Sequence, residues 1–585
     1  MPLSHAEQFP IPTEGSARLP TAAASPTAAT PHPATSATKV ALEVRSMWGG
    51  VSIVVGLAML GNLLWILRDH QSPTWDQAHY LDIAWVVRQA FSTSGLTAGI
   101  SAIYHTDPSY APLYMLLIQP FEAIKNGVDA SLVANSLMLG GTIAAAAVIA
   151  YKLFGRPAAL AAALFEATCP IIYGLSRTTL VDVLLVLLAA MAIMAAVLSD
   201  GFQRRGWSLL CGAFVGLACL TKMTAPGIVL LPLALSLWLP SRVELRRQLV
   251  NAALAAVVAV VLAVCWYAVD FGATLGYLQS ATTGELAVGG TAHPLTLQAF
   301  TAFASLTFYA AAGTLLVLLL IIGALFAIPR ALHRHTNRSD LIRIAIPMSW
   351  LAVPFAVVAA SHNQDVRYVA PGVTGLAILA AALITAVRPR VLSLCIMAVA
   401  TVALVCQFTS YVIPQTDASI SAGTGGFALV IGPPSFQLVI PFGGAGLAYV
   451  SPPGIPNYAA PIVQVLHDYQ ERTDAASPLD VCFLETQAVV NGNTIGYVAE
   501  SSGVSLAFTD MSYIPQMSAQ ALAAELSACP VALYIPGDSG QGRVALLNSV
   551  SGAARITASE IAGFDGPRPV LPVGDGLSVE VLEHG

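Results

Sequence analysis

Long apolar runs alternate with short polar turns along the first 413 residues of the chain. Many of the runs approach the roughly 20 residues that carry a helix across a bilayer. Eleven can be read: Trp48–Leu67, Ala130–Tyr151, Pro157–Leu175, Leu180–Leu198, Trp207–Thr221, Met223–Leu239, Leu249–Val269, Leu295–Ile328, Ile344–Ala360, Val369–Val387 and Val391–Ile413. Backbone groups within hydrocarbon must satisfy one another, so each run predicts a helix. The stretch Ala111–Ile124, which opens with Pro112, is read instead as a helix lying in the membrane interface. After residue 413 the pattern changes. Gly423–Val450 is apolar but interrupted by Pro433, Pro434 and Pro441, which predicts a re-entrant or surface-lying hairpin within a Gly/Pro-rich linker, 414–457. From about Tyr458, helix-like pieces (Ala460–Arg472, Ser518–Ala528) alternate with strand-like ones (Asp480–Leu484, Gly503–Asp510, Val531–Pro536). That alternation predicts a small α/β domain over 458–585.

Composition agrees with this pattern. The 585 residues are 56% hydrophobic and 10% charged, too few charges to solvate several soluble domains. The net charge of −6 gives no basic surface for nucleic acid. Charge placement then sets orientation. Thirteen of the 26 Lys and Arg fall in every second loop: Lys152 and Arg156; Arg204 and Arg205; Arg242, Arg246 and Arg247; Arg330, Arg334, Arg338 and Arg343; Arg388 and Arg390. Basic loops are retained in the cytoplasm, so the N-terminus is expected inside and the α/β domain outside the cell or inner membrane. The tail 1–38, rich in Ala, Pro, Thr and Ser, reads as disordered. Six of eight cysteines lie in apolar spans; Cys482 and Cys529 flank strands of the outer domain and are a candidate disulfide, the alternative being two buried thiols.

The remaining polar residues gather on the expected outer side. The first outer loop, 68–129, carries Trp75-Asp76-Gln77-Ala78-His79-Tyr80 and Asp107-Pro108-Ser109-Tyr110. Later outer turns read Ser176-Arg177-Thr178-Thr179-Leu180-Val181-Asp182, Leu220-Thr221-Lys222-Met223 and Asp365-Val366-Arg367-Tyr368-Val369-Ala370-Pro371. His293 and His362 lie on the same side, with Glu285 in the same loop as His293, while Glu166 sits within a span.

In this order and topology the chain resembles the GT-C superfamily of polytopic glycosyltransferases, most of all members related to protein O-mannosyltransferases and lipid A aminoarabinose transferases. The resemblance covers 48–413 and rests on the acidic residue of the first outer loop, an R-x4-D turn, an L-T-K turn and an R-Y-x-x-P segment. It departs from the family at Gln77, where an Asp-Glu pair is usual. The resemblance implies inverting transfer of one sugar from a polyprenyl-phosphate donor to a lipid, glycan or protein acceptor at the outer face. A carboxylate is needed to take the acceptor proton, which points to Asp76 as general base. Cations must balance the leaving phosphate, which points to Lys222, Arg177 and Arg367, with Tyr368 beside them. Asp182, His79, Tyr80 and His293 are candidates for positioning the acceptor or a divalent cation (Mg or Mn). Other readings are a secondary transporter, a lipid-linked polysaccharide polymerase or ligase, or a membrane anchor for a binding module. A transporter would carry its ionisable groups near the midplane rather than at one end.

Overall fold

The computed structural model describes residues 33–124, 127–239, 244–283, 294–333, 337–412, 456–475, 477–484, 490–511 and 519–535, with shorter stretches at 420–422, 428–432, 435–439, 564, 569–574 and 577–583. The chain divides into two units, Met1–Ser46 and Met47–Gly585. In the first, the described residues from Pro33 onward are helical; residues 1–32 of the expected tail lie outside the described residues. All that follows, apart from the start of α1, belongs to the second unit.

The helical part runs α1 (Pro33–Ile66), α2 (Asp76–His105), α3 (Leu113–Glu122), α4 (Val128–Phe154), α5 (Arg156–Ala167), α6 (Pro170–Leu175), α7 (Asp182–Leu198), α8 (Arg205–Cys219), α9 (Ala225–Ser236), α10 (Leu245–Thr283), α11 (Leu297–Ser305), α12 (Thr314–His333), α13 (Arg338–Ala359), α14 (Ala370–Thr385) and α15 (Arg390–Val412). Among the described residues, six helices are by length and composition able to cross a membrane: Val44–Ile66, Val128–Phe154, Leu245–Val269, Arg338–Ala359, Val366–Thr385 and Arg390–Thr409. The pair Leu297–Ala311 and Thr314–Ala327, bent by 100°, would make a seventh, and Asp182–Leu198, Arg205–Cys219 and Ala225–Ser236 are apolar but shorter. Two expected spans are thus broken. Pro157–Leu175 is split between α5 and α6 ahead of Pro170, which has no N–H to continue the ladder. Leu295–Ile328 turns at Gly313, whose φ of 86° is open to glycine at little cost. Ala111–Ile124 holds the short helix α3, beside the longer α2.

The spans are apolar on their outer faces as well as within the bundle. Ile53, Val261 and Val402 are each more than half exposed, as helices in lipid require. This is a multi-pass membrane protein. Lipid tails are as apolar as leucine, so the helices associate by close packing of small side chains. Ala145–Ala147 of α4, Ala161–Ala163 of α5, Ala189 and Ala190 of α7 and Ala380 and Ala381 of α14 are all buried together. Closest of all is α8 against α10. A Cβ on Gly212 would lie 2.1 Å from the Ala255 carbonyl oxygen, and one on Gly216 2.7 Å from Leu262 Cβ.

After α15, β1 (Ile420–Ala422), β2 (Ala428–Gly432) and β3 (Ser435–Val439) pair antiparallel in the segment expected to be a linker; 440–455 lie outside the described residues. Then come α16 (Ala459–Thr473), β4 (Leu479–Phe483), α17 (Gly492–Ser501), β5 (Leu506–Asp510), α18 (Ala519–Ala528), β6 (Val531–Tyr534), β7 (Val570–Gly574) and β8 (Leu577–Glu583). The sheet order is β5-β4-β6-β8-β7, with β4 parallel to β5 and β6, and β8 antiparallel to β6 and β7. Helix α17 and the β7–β8 hairpin are additions to the sequence-level expectation. Cys482 and Cys529 form a disulfide with Cα atoms 6.1 Å apart.

Helix α17 packs on α2. Tyr497 belongs to the margins of both hydrophobic cores and accepts a hydrogen bond from the Val128 N–H at the start of α4. Glu500 faces Asp82, and burial followed by that second carboxylate pushes the Glu500 pKa up to about 7.

Two outcomes follow from this packing. Gly212→Val places its side chain against backbone that cannot yield, and overpacking of this kind costs about 1–3 kcal/mol or more; the thermal midpoint of the detergent-solubilised protein should fall, whereas a Gly227→Ala control, with nothing within 4 Å of its Cβ, should leave it nearly unchanged. The second concerns pH. Because folding raises the Glu500 pKa above its ordinary 4.5, the contact stabilises fully below that value and is lost as pH rises through about 7. Glu500→Gln should therefore flatten the decline in thermal midpoint between pH 5 and 8 relative to the unmodified chain.

Candidate functional site

The polar residues of four separate segments meet at one end of the helical bundle. Asp76 is the first residue of α2, and Asp182 the first residue of α7. Lys222 lies in the turn between α8 and α9, and Arg367 and Tyr368 in a 3-10 turn, Val366–Val369, between α13 and α14. Each helix start or turn is a place where backbone groups lack helical partners, so polar side chains collect there.

Charge alternates across the site. Arg367 Nη1 lies 2.8 Å from Asp76 Oδ2, and its Nε lies 2.9 Å from Asp365 Oδ2. Asp365 also accepts the Arg367 backbone N–H at 2.9 Å, which fixes the turn that presents the guanidinium. Lys222 Nζ donates to Asp182 Oδ1 at 2.8 Å and stands 4.3 Å from the centre of the Tyr368 ring. Burial works against the Lys222 ammonium, but the Asp182 carboxylate and Tyr368 together carry the pKa above the ordinary lysine value. The Arg367 guanidinium, which does not deprotonate in proteins, is held between the Asp365 and Asp76 carboxylates. Both cations stay charged at physiological pH.

These groups border a cavity of about 170 Å³. Asp76, Lys222, Arg367, Tyr368, Asn363 and Ser109 form its polar side; Ile228, Leu278, Ala281, Pro354, Val357 and Val358 form an apolar wall. Tyr80, Tyr110 and Tyr277 close another side. Tyr110 donates to the Tyr277 hydroxyl at 3.1 Å and packs edge-on to Tyr80, with ring centres 5.4 Å apart. Burial raises the pKa of all three phenols, so they remain neutral hydrogen-bond groups.

The cavity thus gathers Asp76, Tyr80, Lys222, Arg367 and Tyr368, with Asp182 directly behind Lys222. Other candidates sit elsewhere. Arg177 is buried under α1, its Nε donating to Asn62 Oδ1 at 3.2 Å and its guanidinium 4.0 Å from the Tyr173 ring centre and 4.9 Å from that of Trp65. It is not among the cavity-lining residues. His79 Nε2 pairs with Asp107 Oδ2 at 2.9 Å, behind Tyr110. Glu166 accepts a hydrogen bond from Thr374 inside the bundle. His293 and Glu285 lie outside the described residues. Among the described residues, no three His, Cys, Asp or Glu side chains are grouped to hold a metal ion. With Asp76 and Asp182 each turned toward a cation, these residues do not present a ready ligand set for Mg or Mn.

Tyr277 and Leu278 fall between the predicted spans Leu249–Val269 and Leu295–Ile328, but α10 continues as helix to Thr283 and brings them to the cavity. The signal was present: Thr274, Leu278, Ala281 and Thr282 fall on one face at helical spacing. Gln77 also has a specific place. Its Nε2 donates to Thr74 Oγ1 at 2.9 Å and its Oε1 accepts the Thr179 N–H at 3.0 Å, tying α2 to the R-x4-D turn. Asn135 grips the same turn through the Thr178 carbonyl at 2.7 Å.

The dolichyl-phosphate-mannose-protein mannosyltransferase family matches residues 108–267 of the chain. Among solved structures, ArnT from Cupriavidus metallidurans in the apo state is similar over 92% of this chain and 98% of its own, with a TM-score of 0.53 and 14% identity. The same protein bound to undecaprenyl phosphate gives a TM-score of 0.51 and 15% identity over 91% and 98%. No curated protein matches in sequence. At these identities the likeness to the two solved structures is one of fold.

The Gln77 clamp predicts a graded response. Gln77→Ala removes two hydrogen bonds and should cost about 1–2 kcal/mol. Gln77→Glu retains the acceptor for Thr179 and should cost less than half as much by the same thermal-unfolding measurement; equal losses would mean that the clamp does not hold the turn.

Proposed function

We propose that this chain, with its GT-C fold, is a membrane glycosyltransferase that moves one sugar from a polyprenyl-phosphate donor to an acceptor hydroxyl, with inversion at the anomeric carbon. The observation that carries the reading is the convergence of one carboxylate, Asp76, with the two cations Lys222 and Arg367 on a cavity that has an apolar wall. A lipid phosphate needs both halves of that cavity. The binding of undecaprenyl phosphate by ArnT, whose fold is similar, supports the same donor class.

In this mechanism the acceptor oxygen attacks the anomeric carbon as the bond from that carbon to the phosphate oxygen breaks. Asp76 takes the acceptor proton, and the electron pair leaves with the phosphate. The phosphate gains negative charge as it departs, and fixed cations in a partly dry site stabilise that gain. Lys222 uses one N–H on Asp182, so its other donors can meet the phosphate. Arg367, engaged by Asp76 and Asp365, adds positive charge and orients the base. Tyr368 stands beside both cations, its ring centre 4.3 Å from Lys222 Nζ and 5.2 Å from the Arg367 guanidinium carbon. Asp182 acts here chiefly by holding Lys222. In keeping with the placement of basic loops, the reaction takes place at the extracytoplasmic face, with the α/β part from about residue 458 on the same side.

Purified protein is to be incubated with a panel of polyprenyl-phosphate sugars and tested for transfer or slow hydrolysis. Asp76→Asn should lower turnover by about 10²–10⁴-fold while undecaprenyl phosphate still binds. Lys222→Ala should weaken undecaprenyl phosphate binding by about tenfold or more. Near-normal turnover in Asp76→Asn would overturn the assignment of the base.

A further inference from the structure

The residue before Asp76 is held in an unusual backbone conformation. Trp75 has φ 44° and ψ −119°, a region that a bulky L-residue adopts only where its surroundings over-determine it. The contacts that do so come largely from the C-terminal α/β part. The Trp75 N–H donates to Thr494 Oγ1 at 3.2 Å, and Thr494 is fully buried in the first turn of α17. Its own backbone N–H is accepted by the Asn491 side chain, the N-cap of that helix, at 2.9 Å, so the hydroxyl is presented from a fixed point. Three residues earlier, Ser72 donates to Asn457, whose side-chain oxygen also accepts the N–H groups of Ala459 and Ala460 at the start of α16. The starts of two helices therefore grip the loop that leads into Asp76. On the opposite side, Gln77 is tied to Thr179.

We propose that Thr494 is a positioning residue for Asp76, and that the C-terminal α/β part serves the reaction by holding the strained Trp75 turn so that the Asp76 carboxylate meets Arg367 and faces the cavity. The inference rests on the reading of Asp76 as base. Loss of the Thr494 hydroxyl leaves the Trp75 N–H without this acceptor and lets the turn relax, which swings the first residue of α2 away from Arg367. The acceptor is a side chain of another layer of the molecule, so the base is set by tertiary contact rather than by its own helix.

The test compares Thr494→Val, which keeps the shape and removes the hydroxyl, with Thr494→Ser, which restores it. Hydrogen–deuterium exchange over residues 72–80 is read without substrate, and turnover is read with whichever polyprenyl-phosphate sugar the panel shows to react. Thr494→Val should speed exchange over 72–80 but not in α4 or α14, and lower turnover about tenfold or more, with undecaprenyl phosphate binding within twofold of normal. Thr494→Ser should return both readouts toward the unmodified protein. Ser72→Ala, which releases the neighbouring grip from the loop side and leaves the C-terminal core intact, should speed exchange over the same residues, and serves if Thr494→Val fails to fold. Unmodified exchange in these variants, or unmodified turnover in Thr494→Val, overturns the proposal. If Asp76→Asn is inactive and Thr494→Val is normal, only the positioning role fails; if Asp76→Asn is active, the base assignment fails whatever the exchange data give.

Discussion

A charge buried beside hydrocarbon has to be paired, and that constraint organises this protein. Removing an ion from water costs several kcal/mol unless a partner offsets the loss. The pairs Lys222–Asp182 and Arg367–Asp76 meet this demand by joining segments far apart in sequence: the α8–α9 turn to the start of α7, and the turn before α14 to the start of α2. Breaking the first pair takes from Lys222 or Asp182 its ion partner, and losing Asp76 leaves Arg367 with Asp365 alone, so the pairs tie four elements together as well as setting the electrostatics of the cavity. The alanine and glycine faces of the bundle bring the helix ends within reach; the ion pairs then decide their register.

The sequence made much of the membrane part legible because a bilayer imposes a strong pattern. The run Ala130–Tyr151 lies within the helix Val128–Phe154, the run from Val391 follows the helix Arg390–Val412 to its end, and the sorting of charges to helix ends pointed to Asp76, Lys222 and Arg367. What escaped is what a pattern of apolar positions does not encode. Arg177 stands in a turn that looks equivalent to that of Lys222, yet Asn62, Trp65 and Tyr173 hold it away from the cavity. Those partners lie on other helices, so tertiary packing decides its place. Helix α17 is only ten residues long and begins with Gly492 and Asn493, both weak helix formers; its asparagine cap and its contacts with α2 make it a helix.

Gln77 shows how a departure from a family pattern can be read physically. An amide both donates and accepts, which lets this one side chain bridge Thr74 and the Thr179 N–H. A carboxylate could only accept. The neighbour of Asp76 is thereby a strut between two turns of the site, and among the described residues the cavity lining carries a single carboxylate.

Helix α10 carries a further consequence. Its 39 residues extend for about 58 Å at 1.5 Å per residue, close to twice the roughly 30 Å of a bilayer's hydrocarbon layer. The apolar stretch suited to spanning ends at Val269, and the cavity-lining residues Thr274, Tyr277, Leu278, Ala281 and Thr282 all come after it. The same helix that carries a membrane-spanning stretch therefore continues beyond it to form one wall of the cavity. For the function proposed above, such a wall lets a lipid-linked donor stay beside the bilayer and a water-soluble acceptor stay in water while both reach one cavity.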